Sequence, residues 1–305
     1  MVLRSGMLWL ARNEQAEDLV RRSGVSRALV KRFVAGEDLS TALDRTLGIN
    51  AQGMDASLDL LGESVEDEAA ARAAADTYVD VLDQIQAAGV RSNISIKLTM
   101  LGLDISEEMA WGNLRRIVVH AGERGNFVRI DMEGSAYTER TLALFRRIHD
   151  EFPEAVGIVL QSYLYRTDSD VEEMIARRAR VRIVKGAYNE PETVAYPHKS
   201  DVDAAFRRHI KLLIRSGNYP AIATQDEAML RGAKLYADGI GVGQERFEFQ
   251  MLYGVRRDLQ EAIAAEGYNM RVYVPFGTMW YPYFMRRLAE RPANMFFILK
   301  NLVRR

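Results

Sequence analysis

One alternation runs through the chain. From residue 54 onward, a short apolar run rich in β-branched residues is followed by an amphipathic helical stretch, and the pair recurs eight times. The strand-like runs fall at 54–60, 93–98, 127–132, 157–161, 181–185, 221–224, 247–251 and 272–275. The helical patterns fall at 66–88, 106–124, 139–151, 169–177, 201–216, 226–237, 255–265 and 283–290. Strand alternating with helix predicts a parallel sheet, because parallel neighbours are joined through crossover connections. Eight such units in about 250 residues predict closure into a (β/α)8 barrel of the TIM type. An open dinucleotide-binding sheet would carry a glycine-rich loop directly after its first strand. Here Gly53 precedes the first run and Leu60-Leu61-Gly62-Glu63 closes it, so that fingerprint is absent. Ahead of the barrel, apolar positions at helical spacing predict an N-terminal helical segment over 1–50, with the barrel over 51–305.

Composition narrows the chemistry. Lys and Arg total 41 against 42 Asp and Glu, which offers no global field for nucleic acid. The absence of cysteine excludes disulfides, thiolate zinc sites, iron–sulfur clusters and a cysteine nucleophile. His120, His149, His198 and His209 are scattered, without metal-ligand spacing to a carboxylate, so no metal centre is expected. The apolar start is broken by Arg12, Asn13 and Glu14 and is too short to span a bilayer. A soluble, cytoplasmic protein is the expectation.

In such a barrel the chemistry belongs at the carboxyl ends of the strands. There the chain places Lys97, Asp131, Gln161, Lys185 and Thr224-Gln225-Asp226, with Arg182, Glu248, Gln250 and Tyr273 inside the runs. Burying a charge costs roughly several kcal/mol unless it is paired. A lone strand-end lysine usually faces solvent. Lys97, Asp131, Arg182 and Lys185 together predict a functional cluster, with a structural ion-pair network as the competing reading. The last helical stretch carries Arg286, Arg287 and Glu290. Paired arginines are usually a solvated face, but Glu290 can brace either one. They point about 100 degrees apart on a helix, so joint use needs a ligand near the helix start. A bidentate carboxylate clamp is what arginine does best. Gly186, directly after Lys185, marks a sharp turn or a close backbone approach. With Arg182, Lys185 and nearby amides it makes an anion-tolerant surface, and a cofactor pyrophosphate is one candidate ligand.

Taken in order, Asp59-Leu-Leu-Gly-Glu63, Ser95-Ile-Lys-Leu, Arg129-Ile-Asp-Met-Glu133, Arg182-Ile-Val-Lys-Gly-Ala-Tyr188, Phe247-Glu-Phe-Gln-Met-Leu-Tyr-Gly254, Tyr273-Val-Pro-Phe-Gly277 and Arg286-Arg-Leu-Ala-Glu290 resemble the successive motifs of the proline dehydrogenase family. The chain looks like a short, bacterial, monofunctional, FAD-dependent member without the aldehyde-oxidising domain of bifunctional relatives. The resemblance implies a barrel holding noncovalent FAD over its strand ends. It implies oxidation of L-proline to Δ1-pyrroline-5-carboxylate, the first step of proline catabolism to glutamate. Hydride would pass from C5 to flavin N5, and electrons then to a quinone, with transient contact at the inner face of the membrane. It also implies that Arg286, Arg287 and Lys97 hold the proline carboxylate, Tyr273 packs against the ring and Glu290 orients the arginines. Asp131 would lie beside the substrate and Arg182 near flavin N5. Met132, Gln161, Lys185, Gly186, Ala187, Thr224 and Gln225 would line the cofactor. Two departures stand out. Thr224-Gln225-Asp226 replaces a histidine-containing version of that loop in some relatives, and the stretch from Tyr273 to Arg286 is shorter than in some members.

The residues suit that chemistry on their own terms. Hydride loss from C5 develops positive charge on the ring, and C5 must sit about 3–3.5 Å from its acceptor. Cations on the carboxylate supply the positioning, and Arg182 can stabilise charge developing on a reduced flavin. Asp131 can favour the developing iminium or help hold Lys97. A Schiff-base aldolase on the same fold, with Lys97 or Lys185 as nucleophile, is the main alternative. A noncatalytic ligand-binding barrel is the third reading.

Overall fold

The protein is described by a computed structural model, which covers residues 30–62 and 64–289. Eight strands are present among the described residues: β1 (Asp55–Leu60), β2 (Ser92–Ile96), β3 (Val128–Ile130), β4 (Val156–Gln161), β5 (Arg180–Val184), β6 (Ala221–Ala223), β7 (Glu248–Leu252) and β8 (Asn269–Phe276). They close into a barrel in chain order, each parallel to its neighbours, with β8 returning to β1. Each predicted run overlaps one strand.

The longer helices among the described residues are α1 (Leu39–Ala51), α2 (Glu68–Ala88), α3 (Glu107–Glu123), α4 (Ser135–Glu151), α5 (Thr167–Ala176), α6 (Lys199–Ser216), α7 (Glu227–Gly239), α8 (Arg257–Ala265) and α9 (Trp280–Ala289). The helix α2 shows why these segments form. Asp67 caps its start by accepting from Ala70 N at 2.8 Å. Ala71, Ala74, Ala75, Tyr78, Val81, Leu82 and Ile85 recur at helical spacing and are buried. Burying each large member is worth about 1.5–3 kcal/mol. Gly89 ends the helix with φ +62°, a left-handed conformation that a side chain would strain.

Along each strand, side chains alternate between two faces. One face meets the helices and is apolar: Ala56 and Leu58, Ile94 and Ile96, Val128 and Ile130, Val181 and Ile183, Phe249 and Met251, Val272 and Val274 are all buried there. On six strands the other face fills the barrel and is polar: Ser57 and Asp59, Ser95 and Lys97, Arg129 and Asp131, Arg180 and Arg182, Glu248 and Gln250, Arg271 and Tyr273, while β4 and β6 place Val159 and Ala223 there. This interior makes the barrel unusual, because a barrel interior is ordinarily filled by branched apolar residues.

The helix α1 packs on β1 and β8. A second apolar cluster joins Val30, Phe33 and Val34 to Trp280, Tyr281 and Phe284 of α9. Residues 1–29 of the expected N-terminal helical segment lie outside the described residues. The helix α9 begins at Trp280, three residues before its predicted start. Pro282 sits in the first turn, where backbone N–H groups have no intrahelical partner, so it does not break the helix. Among the described residues, no helix is long and apolar enough to cross a membrane.

Candidate active site

A cavity of about 490 Å³ opens at the carboxyl ends of the strands. Its lining includes every described site residue expected from the sequence: Lys97, Asp131, Met132, Gln161, Arg182, Lys185, Gly186, Ala187, Thr224, Gln225, Tyr273 and Arg287. Glu290 and the Arg286 side chain lie outside the described residues.

The cavity floor is a network of ions and hydroxyls. Arg182 on β5 is 4% exposed and donates to Asp131 Oδ1 at 2.6 Å. It also donates to Ser95 Oγ at 3.0 Å, and Ser95 lies 3.0 Å from Ser57 Oγ. The Arg182 guanidinium stands 5.4 Å from the centre of the Tyr273 ring, within the range of a cation–π contact. The Tyr273 hydroxyl donates to Asp131 Oδ2 at 2.9 Å. Burial and the neighbouring Asp131 and Asp59 push this phenol well above its ordinary value, so it keeps its proton and serves as a donor.

Lys97 is held by Asp59 rather than by Asp131. Its Nζ donates to Asp59 Oδ1 at 2.7 Å. Burial alone would lower this ammonium, but Asp59 and Asp131 outweigh it and raise the lysine above its ordinary value. Asp59 was visible in the sequence only as part of a motif. It precedes the end of β1 by one residue, so a search of strand ends passes over it. Glu133 is a second buried carboxylate close by, accepting from Thr99 Oγ1 at 2.6 Å.

Lys185 points to the outer rim of the mouth. Its Nζ donates to Asp203 Oδ1 at 2.6 Å and Asp226 Oδ2 at 2.8 Å. The anion-tolerant surface expected there is therefore offset by two carboxylates. Asp226 also caps α7 by accepting from Ala228 N, which gives the departure in this loop a structural task. Gly186 has φ +116°, and a Cβ there would collide with the Tyr163 ring. The glycine thus serves both the turn and a close backbone approach. Glu190 ties the following loop to α4, accepting from Ser135 N at 2.8 Å.

Both strand-end lysines are ion-paired and raised. A Schiff-base lysine needs the opposite, a lowered value that frees the neutral amine. The geometry thus disfavours the aldolase reading.

Known proteins resemble the chain along nearly its whole length. The family model described as proline dehydrogenase matches residues 42–300. A proline dehydrogenase of Deinococcus radiodurans is 42% identical over 305 residues, covering 99% of this chain and 98% of that protein. Proline dehydrogenase 1 of Bacillus subtilis is 40% identical over 304 residues, with both chains fully covered. Among solved structures, proline utilization A from Bdellovibrio bacteriovorus superposes with a TM-score of 0.82 at 26% identity. That match spans 93% of this chain and 37% of the longer one.

Proposed function

Because the chain belongs to the proline dehydrogenase family, we propose that its barrel mouth is where L-proline is bound and oxidised to Δ1-pyrroline-5-carboxylate. The observation that carries this reading is the convergence of Lys97, Arg182, Arg287, Asp59, Asp131 and Tyr273 on one cavity. A zwitterion such as proline needs cations for its carboxylate, an anion beside its amine and an aromatic wall for its ring. The floor supplies all three.

The cofactor of this reading is FAD. The residues fit a flavin. Met132, Val159, Val184, Ala223 and Leu252 give apolar walls for an aromatic ring, and Gln161, Thr224 and Gln225 bring polar groups to its edge. Arg182 Nε is buried without a hydrogen-bond partner among the described residues, so the guanidinium keeps a donor to spare. Lys185, Gly186 and Ala187 would line the outer part of the cofactor. When bound, FAD supplies the two-electron acceptor.

The chain's own residues then act in three ways. Lys97 and Arg287, joined by Arg286, bind the carboxylate, with Glu290 orienting the arginines. Tyr273 packs against the ring and holds Asp131 in place through its hydroxyl. Asp131 and Arg182, paired with each other, set the field at the reacting carbon and at the cofactor. The proline amine must be neutral before oxidation. In this reading that proton leaves to water. The described part of the catalytic barrel runs from Asp55 to Ala289, with α1 ahead of it. The enzyme acts in the cytoplasm and passes electrons to a quinone during transient contact with the membrane.

The experiment is anaerobic addition of L-proline to FAD-loaded protein, followed by absorbance. Bleaching of the flavin band is expected. A protein that takes up no FAD, or whose flavin stays oxidised with proline, contradicts the reading.

A further inference from the structure

We propose that Asp59 is a positioning residue for substrate: its buried carboxylate fixes the Lys97 ammonium at the cavity floor, so that the remaining N–H donors meet the substrate carboxylate. The inference rests on the proline reading above.

Placement comes first. Pairing of β1 with β2 sets Asp59 opposite Ser95, two residues before Lys97. Both side chains face the barrel interior, and Lys97 Nζ reaches back to Asp59 Oδ1 at 2.7 Å. Asp59 is 1% exposed, while Lys97 keeps its tip at the cavity. Asp59 takes one of three N–H donors and is the hydrogen-bond partner of Nζ among the described residues. The other two donors remain for a ligand.

Exclusivity comes second. The charged or titratable groups facing Lys97 are Asp59 from β1, Asp131 and Glu133 after β3, and Tyr188 after β5. Asp131 is already engaged by Arg182 and Tyr273. Glu133 is engaged by Thr99. Asp59 is faced in turn by Lys97, Asp131, Tyr273 and Tyr78. Among the described residues Lys97 is the cation that hydrogen-bonds this carboxylate, and its other polar neighbour is the uncharged Tyr273 hydroxyl. A buried ammonium without a counter-ion loses its proton readily. Asp59 therefore does two things: it orients Nζ, and it keeps the charge that a substrate carboxylate needs at alkaline pH.

The test uses FAD-loaded protein and tetrahydrofuran-2-carboxylate, the ring-oxygen analogue of proline, with its Kd measured by calorimetry from about pH 6 to about pH 9.5. Wild type should bind with little pH dependence. Asp59→Asn should bind comparably at the acid end and at least about tenfold more weakly at the alkaline end, as Lys97 loses its proton. Adding Lys97→Met should flatten the profile again, and Asp59→Glu should restore it. A framework role predicts a loss of equal size at every pH. An Asp59→Asn profile parallel to wild type, weak or strong, overturns the proposal. If Asp59→Asn does not fold, the Asp59→Asn/Lys97→Met double variant decides. It should fold as well as Lys97→Met alone, since the harm comes from an unpaired ammonium, and its failure to fold makes Asp59 a framework residue. Wild type that does not bind the analogue shows the proline reading itself to be at fault, and the proposal falls with it.

Discussion

The barrel holds two tiers of buried charge, and they are built differently. The lower tier, at the amino ends of the strands, joins Arg129, Arg180 and Arg271 to the buried Glu248, with the half-exposed Asp55 at its edge. The upper tier joins Arg182 and Lys97 to Asp131 and Asp59. In the lower tier two of the arginines, Arg129 and Arg271, spend donors on main chain. Arg129, 1% exposed, donates to Ile158 O at 3.1 Å and to Arg180 O. Arg271 donates to Ala56 O at 2.8 Å and to both Glu248 oxygens at 3.1 Å. Arg129 and Arg180 also stack on Phe127, at 4.9 and 4.4 Å from its ring centre. Gly157 makes the room, since a Cβ there would meet Arg129 Nη1 and Arg180 O. In the upper tier the partners are side chains, and the charges line a cavity. Buried charge alone does not mark a site. Buried charge that is held by side chains and faces a cavity does. The contrast follows the general division of such barrels, with chemistry at the carboxyl face and stability at the amino face.

The largest expected effect breaks the lower tier. Glu248→Ala leaves Arg271 and Arg129 without their buried counter-ion and should lower unfolding stability by about 3–5 kcal/mol. Urea unfolding measures it. Ligand binding by the folded fraction should be unchanged, and a variant with intact stability but lost binding would merge the two tiers.

Asp131→Ala should cost less stability, about 3 kcal/mol, because its side chain is 14% exposed, and turnover should fall with it. Unchanged stability and turnover together would make the upper tier a solvated rim. Arg287→Ala comes next. A charged hydrogen bond is worth about 1.5–3 kcal/mol, so proline binding should weaken by roughly 10- to 150-fold. The unfolding midpoint should hardly move, and Arg287→Lys should rescue poorly because the planar fork is lost. Proline titrations of the flavin absorbance read both.

The smallest effect lies outside both tiers. Burial lowers His209 below its ordinary 6.5, against the pull of Asp168. A lowered folded value means that stability present above the unfolded value is lost as pH falls through the folded one. Unfolding midpoints should therefore decline on acidification below about pH 6.5 in wild type, and less so in His209→Gln. Equal decline in both would show that the histidine stays solvated.

The strands were legible because each is a short β-branched run bounded by turns, and the helices because their apolar faces repeat at helical spacing. The mouth was legible where charge ended a strand, as at Lys97 and Lys185. What was hidden depended on register. Arg129 and Arg182 are equally charged and equally strand-borne in sequence, yet one lies in the lower tier and the other lines the cavity. Asp59 was hidden because it sits one residue inside β1, and Asp203 because it reaches Lys185 from the next helix. The start of α9 at Trp280 precedes the predicted one, with Pro282 accommodated in its first turn.

The division between tiers is tested most directly by two matched substitutions. Arg182→Met and Arg129→Met each remove one buried arginine from the same barrel interior. The measurement is the rate at which saturating L-proline bleaches the bound flavin under anaerobic stopped flow, at a temperature where circular dichroism shows both variants folded. Arg182→Met should slow bleaching by about 100-fold, the loss expected for one preorganised electrostatic group. Arg129→Met should bleach at close to the wild-type rate while unfolding at a lower temperature. Equal slowing in the two variants, or a greater loss in Arg129→Met, would contradict the assignment of chemistry to the upper tier.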